Sequence, residues 1–339
     1  MKISNENILL SSEIVEFISK GDYSTAGYYL FQSQLNVWDL MKKNYEALKA
    51  VQTKSFWFDG FKVNIQFNPE RIISTSAKVD NQSIKNRKCF LCKENLPEEQ
   101  KGILLPGDFV LLCNPYPIFN QHYTISSLNH QPQTIKENFK SFLEVSKLLS
   151  SKYTLIYNGP ECGASAPDHL HFQAGTKQFM PIENDIQQMN NDFGKIICQD
   201  ETLFISFIDD SMRKIILLES ADGNKIQSAF ELFNKSYAKL VNSKSEPMMN
   251  ILCNYNEEIG WRLIIFLRSK HRPKYFYKTN TERILVSPAA VDLGGLLITP
   301  RKDDFERMNK ELVKEIFSEV SLDTKMFLFL LEKLKDQIN

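Results

Sequence analysis

The sequence has no excess of charge of either sign, since lysine plus arginine and aspartate plus glutamate number 41 each. That balance leaves no overall field to draw the chain to nucleic acid or to an anionic membrane, so any binding of anions must be local. Long apolar runs are also missing. No segment approaches a membrane-spanning length, and the N-terminal MKISNENILLSSEIVEF has neither an apolar run after its lysine nor a small-residue cleavage site. The expectation is a cytoplasmic protein with no membrane partner. Cysteine is too sparse for a disulfide scaffold: the six fall at 89, 92, 113, 162, 198 and 253, and only the first two are closely spaced. Reduced thiols are the default. Low-complexity blocks and disordered tails are absent, and 42% hydrophobic residues with 12% aromatics describe an ordinary globular chain. At 339 residues it exceeds one compact domain, so two domains or one duplicated unit are expected.

Residues 12–50 alternate helical periodicity with small breaks and read as two or three amphipathic helices, an N-terminal brace over 1–54. SFWFDGFKVNIQFN follows, with two aromatic and β-branched runs around Asp59-Gly60, a pair that tolerates the positive φ of a tight hairpin. CFLC, DFVLLCNPYPIF, HYTISSL and YTLIYN each read as strands, with a helix over NFKSFLEVSKLLSS between the last two. From about residue 200 the pattern recurs: LFISFID and KIILLES, a helix over KIQSAFELFNKSYAKLV, then MNILCNY and WRLIIFL. This order predicts an α+β protein of antiparallel sheet units with flanking helices, one unit over 55–190 and a degenerate second over 191–339. A strand at GGLLITP and two helices close the chain.

Four of the five histidines (His122, His130, His169, His171) fall in one fifty-residue window. In DHLHFQAG, His169, His171 and Gln173 alternate with Leu170 and Phe172, so on a strand the three polar groups share a face that can hold a phosphate. YNGPECGASAPD just upstream is rich in small residues, Gly163 among them, as a loop must be if its backbone N–H groups approach phosphate oxygens. A neutral imidazole attacks phosphorus well near pH 7 and leaves again readily, which splits one displacement into two. The bland readings are a strand with two exposed histidines, or a metal site with no chemistry.

Asn114, Tyr116, Pro117, His122 and His130, followed by the small-residue loop and HxHxQ, resemble the histidine-triad branch of galactose-1-phosphate uridylyltransferase, diadenosine tetraphosphate phosphorylase and the GDP-hexose phosphorylases. HLHFQA followed by Pro181-Ile182-Glu183 is most similar to the last of these. The resemblance is strongest over about residues 85–185. It implies that His171 is the nucleophile, that Gln173 assists on the transferring phosphate, and that Asn158 and Ser165 bind phosphate. Ser165 is followed by Ala-Pro-Asp before His169, one residue more than in the uridylyltransferases, and no role follows for Asp168.

Cys89-Phe-Leu-Cys92 has the gap that lets two thiolates bind one tetrahedral zinc, with His130 and His169 as the imidazoles to complete it. The resemblance implies the same structural zinc. A redox CxxC and an empty, vestigial site are the alternatives. Positive charge for phosphates has two sources: Arg71, Lys78 and Arg87 before the CxxC, and Arg268, Lys270 and Arg272 after the second unit's strand. For each the solvated-surface reading is the default, and RSKHRP is the better candidate by its position in the duplication. The loop SPAAVDLGG suits a turn first and a ligand contact second.

The resemblance thus implies nucleotidyl transfer through a nucleotidyl-histidine, most closely phosphorolysis of a GDP-hexose to hexose 1-phosphate and GDP. The partners are then a nucleotide sugar or dinucleotide and inorganic phosphate; a second copy of the chain is the one protein partner considered. The enzymatic alternatives are a dinucleoside polyphosphate phosphorylase and a hexose-1-phosphate nucleotidylyltransferase. From another class comes an inactive, zinc-stabilised nucleotide-binding module.

Overall fold

The computed structural model describes residues 8, 11–76 and 80–338. Lys78 and nearly all of residues 1–10, on which the reading of the N-terminus partly rested, lie outside them. Three helices, Ser12–Ser19, Tyr23–Val37 and Asp39–Leu48, occupy the stretch that read as helical. The hairpin turns at Asp59-Gly60 as the pair suggested, joining β1 (Gln52–Phe58) to β2 (Phe61–Phe67), with Gly60 at φ +75°.

The main sheet has ten strands, every neighbouring pair antiparallel. The first five are β3 (Gly102–Leu105), β4 (Phe109–Cys113), β5 (His122–Ser127), β6 (Tyr153–Asn158) and β7 (His171–Thr176). The second five are β8 (Gly194–Gln199), β9 (Phe204–Asp209), β10 (Lys214–Ser220), β11 (Met249–Asn256) and β12 (Gly260–Leu267). Their order in space is β3-β4-β5-β7-β6-β11-β12-β10-β9-β8, so the second five repeat the first five and the halves meet at β6–β11. In each half one long helix separates the third and fourth strands, Phe139–Leu148 and Gly223–Leu240. The duplicated α+β fold is therefore present. β13 (Leu296–Thr299) returns to pair in parallel with β2, closing a small second sheet β1-β2-β13.

Strand alternation divides the core. Tyr153, Leu155, Tyr157, Phe172 and Ala174 face the N-terminal helices, the two long helices and the terminal helix Thr324–Ile338. Ile156, Leu252, Ile264 and Phe266 face the opposite way, against the small sheet and the helices Ile182–Phe193 and Lys310–Val320. Both faces of the central strands are buried, which is why they read as nearly continuous apolar runs. Phe172, fully buried among Phe109, Phe142 and Tyr157, anchors the strand that carries His171, and its loss to alanine costs about 3–5 kcal/mol.

Two expectations change. CFLC is a tight turn, with Cys92 N donating to Cys89 O at 3.3 Å, rather than a strand. Thiols three residues apart on a strand point to opposite faces, whereas a turn brings them together. His169 precedes β7 instead of lying on it, so it does not share a face with His171 and Gln173.

Candidate active site

β6 and β7 pair from Tyr153–Thr176 to Ile156–Gln173. Beyond that the buried side chain of Gln133 holds the strand ends: its Oε1 accepts from His171 N (2.8 Å), and its Nε2 donates to His171 O (3.0 Å) and Asn158 O (2.9 Å). His171 and Asn158 thereby face one cavity of about 610 Å³, which Gln173, Gly163, Ser165 and Arg272 also line.

His171 Nδ1 lies 2.8 Å from the carbonyl oxygen of His169, so Nδ1–H donates there and Nε2 keeps its lone pair for the cavity. Burial, partly offset by that carbonyl, holds the imidazole pKa down at about 4. The ring is neutral near pH 7, the form that can attack phosphorus. Gln173 is oriented by His122. Because Ile118 N donates to His122 Nδ1 (3.3 Å), His122 Nε2–H donates to Gln173 Oε1 (3.0 Å), leaving the Gln173 amide N–H groups as cavity donors. Burial, reinforced by the Arg71 charge, keeps His122 neutral with a pKa of about 3.

Asn158 is polarised in the same way. Its Oδ1 accepts from Asn250 Nδ2 (2.8 Å) and Ala290 N (2.9 Å), which leaves its amide N–H groups for the cavity. The loop that follows passes close to Ala289. Gly163 has φ +117°, and a Cβ added there would lie 2.6 Å from Ala289 Cβ. Only glycine fits both the backbone and the space. Ala289 and Asp292 place the SPAAVDLGG segment against the cavity, so the turn is also part of its wall.

The cations are arranged differently from the expectation. Arg268 is fully buried and donates to the carbonyls of Val320, Pro288, Lys270 and His271 and to Asn250 Oδ1. Lys270 pairs with Glu319 at 3.1 Å on the surface. Neither lines the cavity; an arginine at the end of a central strand is consumed by the backbone around it. Arg272 does line it, with Nε donating to Ser287 Oγ at 3.0 Å. Arg71 and Arg87, for which a solvated surface was the default, line it as well.

Cys89, Cys92, His130 and His169 converge, one ligand atom from each lying within 4.8 Å of all the others. His169 Nδ1 is 3.4 Å from Cys89 Sγ and 3.5 Å from Cys92 Sγ, and His130 Nδ1 is 3.2 Å from Cys92 Sγ. The edges of a tetrahedron with zinc–sulfur and zinc–nitrogen bonds measure about 3.5 Å, so the four donors fit such an ion. His169 Nε2 lies 2.8 Å from Ser127 O and donates to it, turning Nδ1 toward the thiols, the outer-shell bond that metal-binding imidazoles usually make. Asp168 acquires a place here: Oδ1 holds Arg87 at 2.6 Å, and Oδ2 faces His130 Nε2 at 4.0 Å.

Sequence reasoning missed Gln133, Asn250 and the orienting role of His122. Glutamine and asparagine carry no spacing signal, and the work of His122 depends on a backbone N–H four residues earlier. Among the described residues no helix is long and apolar enough to cross a membrane.

No curated protein matches the chain by sequence. Residues 30–176 match the family model of a domain of unknown function, DUF4922, and residues 190–338 match the GDPGP1-like C-terminal domain. Among solved structures, the chain is similar to yeast Ap4A phosphorylase Apa2 in complex with AMP: 14% identity, 86% of this chain and 96% of that one covered, TM-score 0.56. The same enzyme in complex with Ap4A gives 13% identity, 87% and 97% coverage, and a TM-score of 0.55. The second half of the chain thus matches a GDPGP1-like C-terminal domain, and the fold is similar to that of yeast Ap4A phosphorylase.

Proposed function

We propose that the protein is a nucleotidyltransferase that works through a nucleotidyl-histidine, and that its reaction is phosphorolysis of a GDP-hexose. The observation that carries this reading is His171, whose Nδ1 is tied to a carbonyl while Nε2 faces the cavity beside the Gln173 amide. In the first step His171 Nε2 forms a bond to the α-phosphorus and the bond to the bridging oxygen breaks, so hexose 1-phosphate leaves. In the second, an oxygen of inorganic phosphate attacks the same phosphorus, the P–N bond breaks, and GDP leaves with His171 neutral again. Gln173 Nε2, Asn158 Nδ2, Ser165 and the backbone near Gly163 hold the phosphoryl oxygens, and of the RSKHRP cations Arg272 is the one that lines the cavity.

The Cys2His2 centre is read as a structural zinc site. Cys89, Cys92, His130 and His169 would hold the ion, which would supply rigidity there by fixing His169, whose carbonyl oxygen orients His171. The cytoplasm, where thiols stay reduced, is the compartment that suits these ligands. The GDPGP1-like second half favours a GDP-sugar as donor, and the likeness to yeast Ap4A phosphorylase favours the runner-up, a dinucleoside polyphosphate.

Intact-protein mass spectrometry after brief incubation with GDP-glucose, GDP-mannose, UDP-glucose or diadenosine tetraphosphate, without phosphate, tests the reading. The expected result is a nucleoside-monophosphate adduct on the wild type and none on His171→Ala, with the adduct mass naming the base. Tight nucleotide binding with no adduct from any donor would make the protein a binding module instead.

A further inference from the structure

Asn158 lines the His171 cavity, and the direction of its amide is fixed from the second half of the molecule. Ala290 N is a backbone donor, so the atom it meets at 2.9 Å is Asn158 Oδ1, and the Asn250 group that meets the same oxygen at 2.8 Å is the amide nitrogen. Asn250 is fully buried on β11, with both amide atoms in use. Its Nδ2 donates to Asn158 Oδ1 and, at 2.7 Å, to Cys162 O in the small-residue loop, while its Oδ1 accepts from Arg268 Nη1. A guanidinium offers donors and no acceptor and keeps its proton near neutral pH, so Arg268 prevents the Asn250 amide from turning over. Arg268 also governs the other donor to Asn158: Nη1 binds Pro288 O at 2.9 Å, two residues before Ala290. With Val320 O on Nε and the Lys270 and His271 carbonyls on Nη2, the five N–H groups of this buried cation meet five oxygens, none of them a carboxylate. Burying a charge against neutral acceptors is costly, and here the cation holds both donors to one side chain.

We infer that Arg268 and Asn250 are positioning residues for nucleotidyl transfer; this rests on the reading proposed above. The guanidinium fixes the Asn250 amide and the Pro288–Ala290 backbone, these two hold Asn158 Oδ1, and the Asn158 amide N–H groups are thereby kept toward the phosphate in the cavity. Neither positioning residue touches the substrate. Turned the other way, Asn158 would set its oxygen against a phosphoryl oxygen of like partial charge, where negative charge has to be stabilised as His171 attacks. The second half, which carries no HxHxQ run, thus serves the reaction by aiming a donor that belongs to the first.

A double-mutant comparison of adduct formation tests this, because a positioning role and a merely structural one diverge there. Wild type, Asn158→Ala, Asn250→Asp, Arg268→Lys and the two double variants that combine the latter with Asn158→Ala are mixed with the donor that labels wild type. The nucleotidyl adduct is followed by quenched-flow mass spectrometry over a range of donor concentrations. Asn250→Asp keeps the size of the side chain and gives Arg268 an acceptor, but it has no N–H for Asn158 Oδ1. Arg268→Lys keeps the charge and presents one nitrogen in place of the fork. Each single variant is expected to lower the maximal rate of adduct formation by at least about tenfold, with a smaller change in the half-saturating donor concentration. Once Asn158 is alanine, the Asn250 and Arg268 substitutions are expected to slow the step by less than about threefold further. Effects that multiply in the double variants, or single variants that react like wild type, overturn the inference while the covalent mechanism stands. An absence of adduct on wild type overturns the mechanism beneath it. Should Asn250→Asp or Arg268→Lys not fold, Asn250→Ala takes its place in the same comparison, with the same expected and overturning results.

Discussion

The two halves of the main sheet have the same strand order and the same helix placement, yet the candidate nucleophile His171 and its neighbour Gln173 lie in the first. On β5 and β7, Ser126 lies opposite His171; on the matching strands β10 and β12, Glu219 lies opposite Arg262, and the two form an ion pair. The small-residue loop after β6 bends over the cavity, whereas β11 and β12 are joined by a short hairpin through Gly260 at φ +77°. The Cys2His2 cluster found among the described residues also belongs to the first half. A sheet topology can thus be kept by apolar alternation alone, while a site needs particular polar groups at the strand ends. The second half contributes from across the junction. Asn250 on β11 turns the Asn158 amide, and Arg268 after β12 binds the carbonyls around it.

That contrast predicts its largest effect at the matching strand positions. His171→Ala should lower turnover by at least about a thousandfold, because in the proposed mechanism this residue forms the covalent bond. Arg262→Ala should leave turnover within about twofold and cost about 1 kcal/mol of stability, since its ion pair is only partly buried. Steady-state kinetics and thermal melts on both variants check this, and a turnover loss in Arg262→Ala comparable to that of His171→Ala would mean the second half shares in the chemistry.

Metal removal should weaken the first half selectively. Stripping the protein with a strong zinc chelator is expected to release about one equivalent of metal and to destabilise it by several kcal/mol. Hydrogen exchange should then rise around the CFLC turn and β7, with β9 to β12 protected as before. Purified protein that contains no metal and does not change its melting temperature on adding zinc would remove the metal from this picture.

A smaller effect lies at Glu246, beneath the junction of the halves. Burial, offset in part by the Tyr157 hydroxyl and the Ile135 N–H, raises its pKa from 4.5 to about 7. The folded state therefore holds the proton more tightly than the unfolded chain does. Its stabilising contribution is full below pH 4.5, is lost as pH rises through about 7, and amounts to on the order of 3 kcal/mol. Melting temperatures of Glu246→Gln from pH 5 to 8 should be flatter than those of wild type; parallel curves would assign the pH dependence elsewhere.

Much of the fold was legible because burial on both faces leaves long apolar strands, and because Asp59-Gly60 and the helical periodicities are local signals. The exceptions are instructive. CFLC resembles a strand in composition, but its backbone is a turn closed by the Cys92 N to Cys89 O hydrogen bond. His169 alternates with His171 in sequence, but a turn before β7 brings it to Cys89 and Cys92. Arg268, singled out by its place in the duplication, is consumed by carbonyls, and Arg71 and Arg87, taken as surface, border the cavity.

The sequence by itself determined the alternation of core and polar positions and the duplication, and it singled out His171, Gln173 and the four metal-ligand residues as candidates, because these rest on side-chain type and short spacings. Only the tertiary structure decided the His171 tautomer, the orientation of the Gln173 and Asn158 amides, and which arginines face the cavity. Those depend on single hydrogen bonds between residues far apart in the chain, such as Gln133 with His171 and Asn250 with Asn158, and no local pattern encodes them.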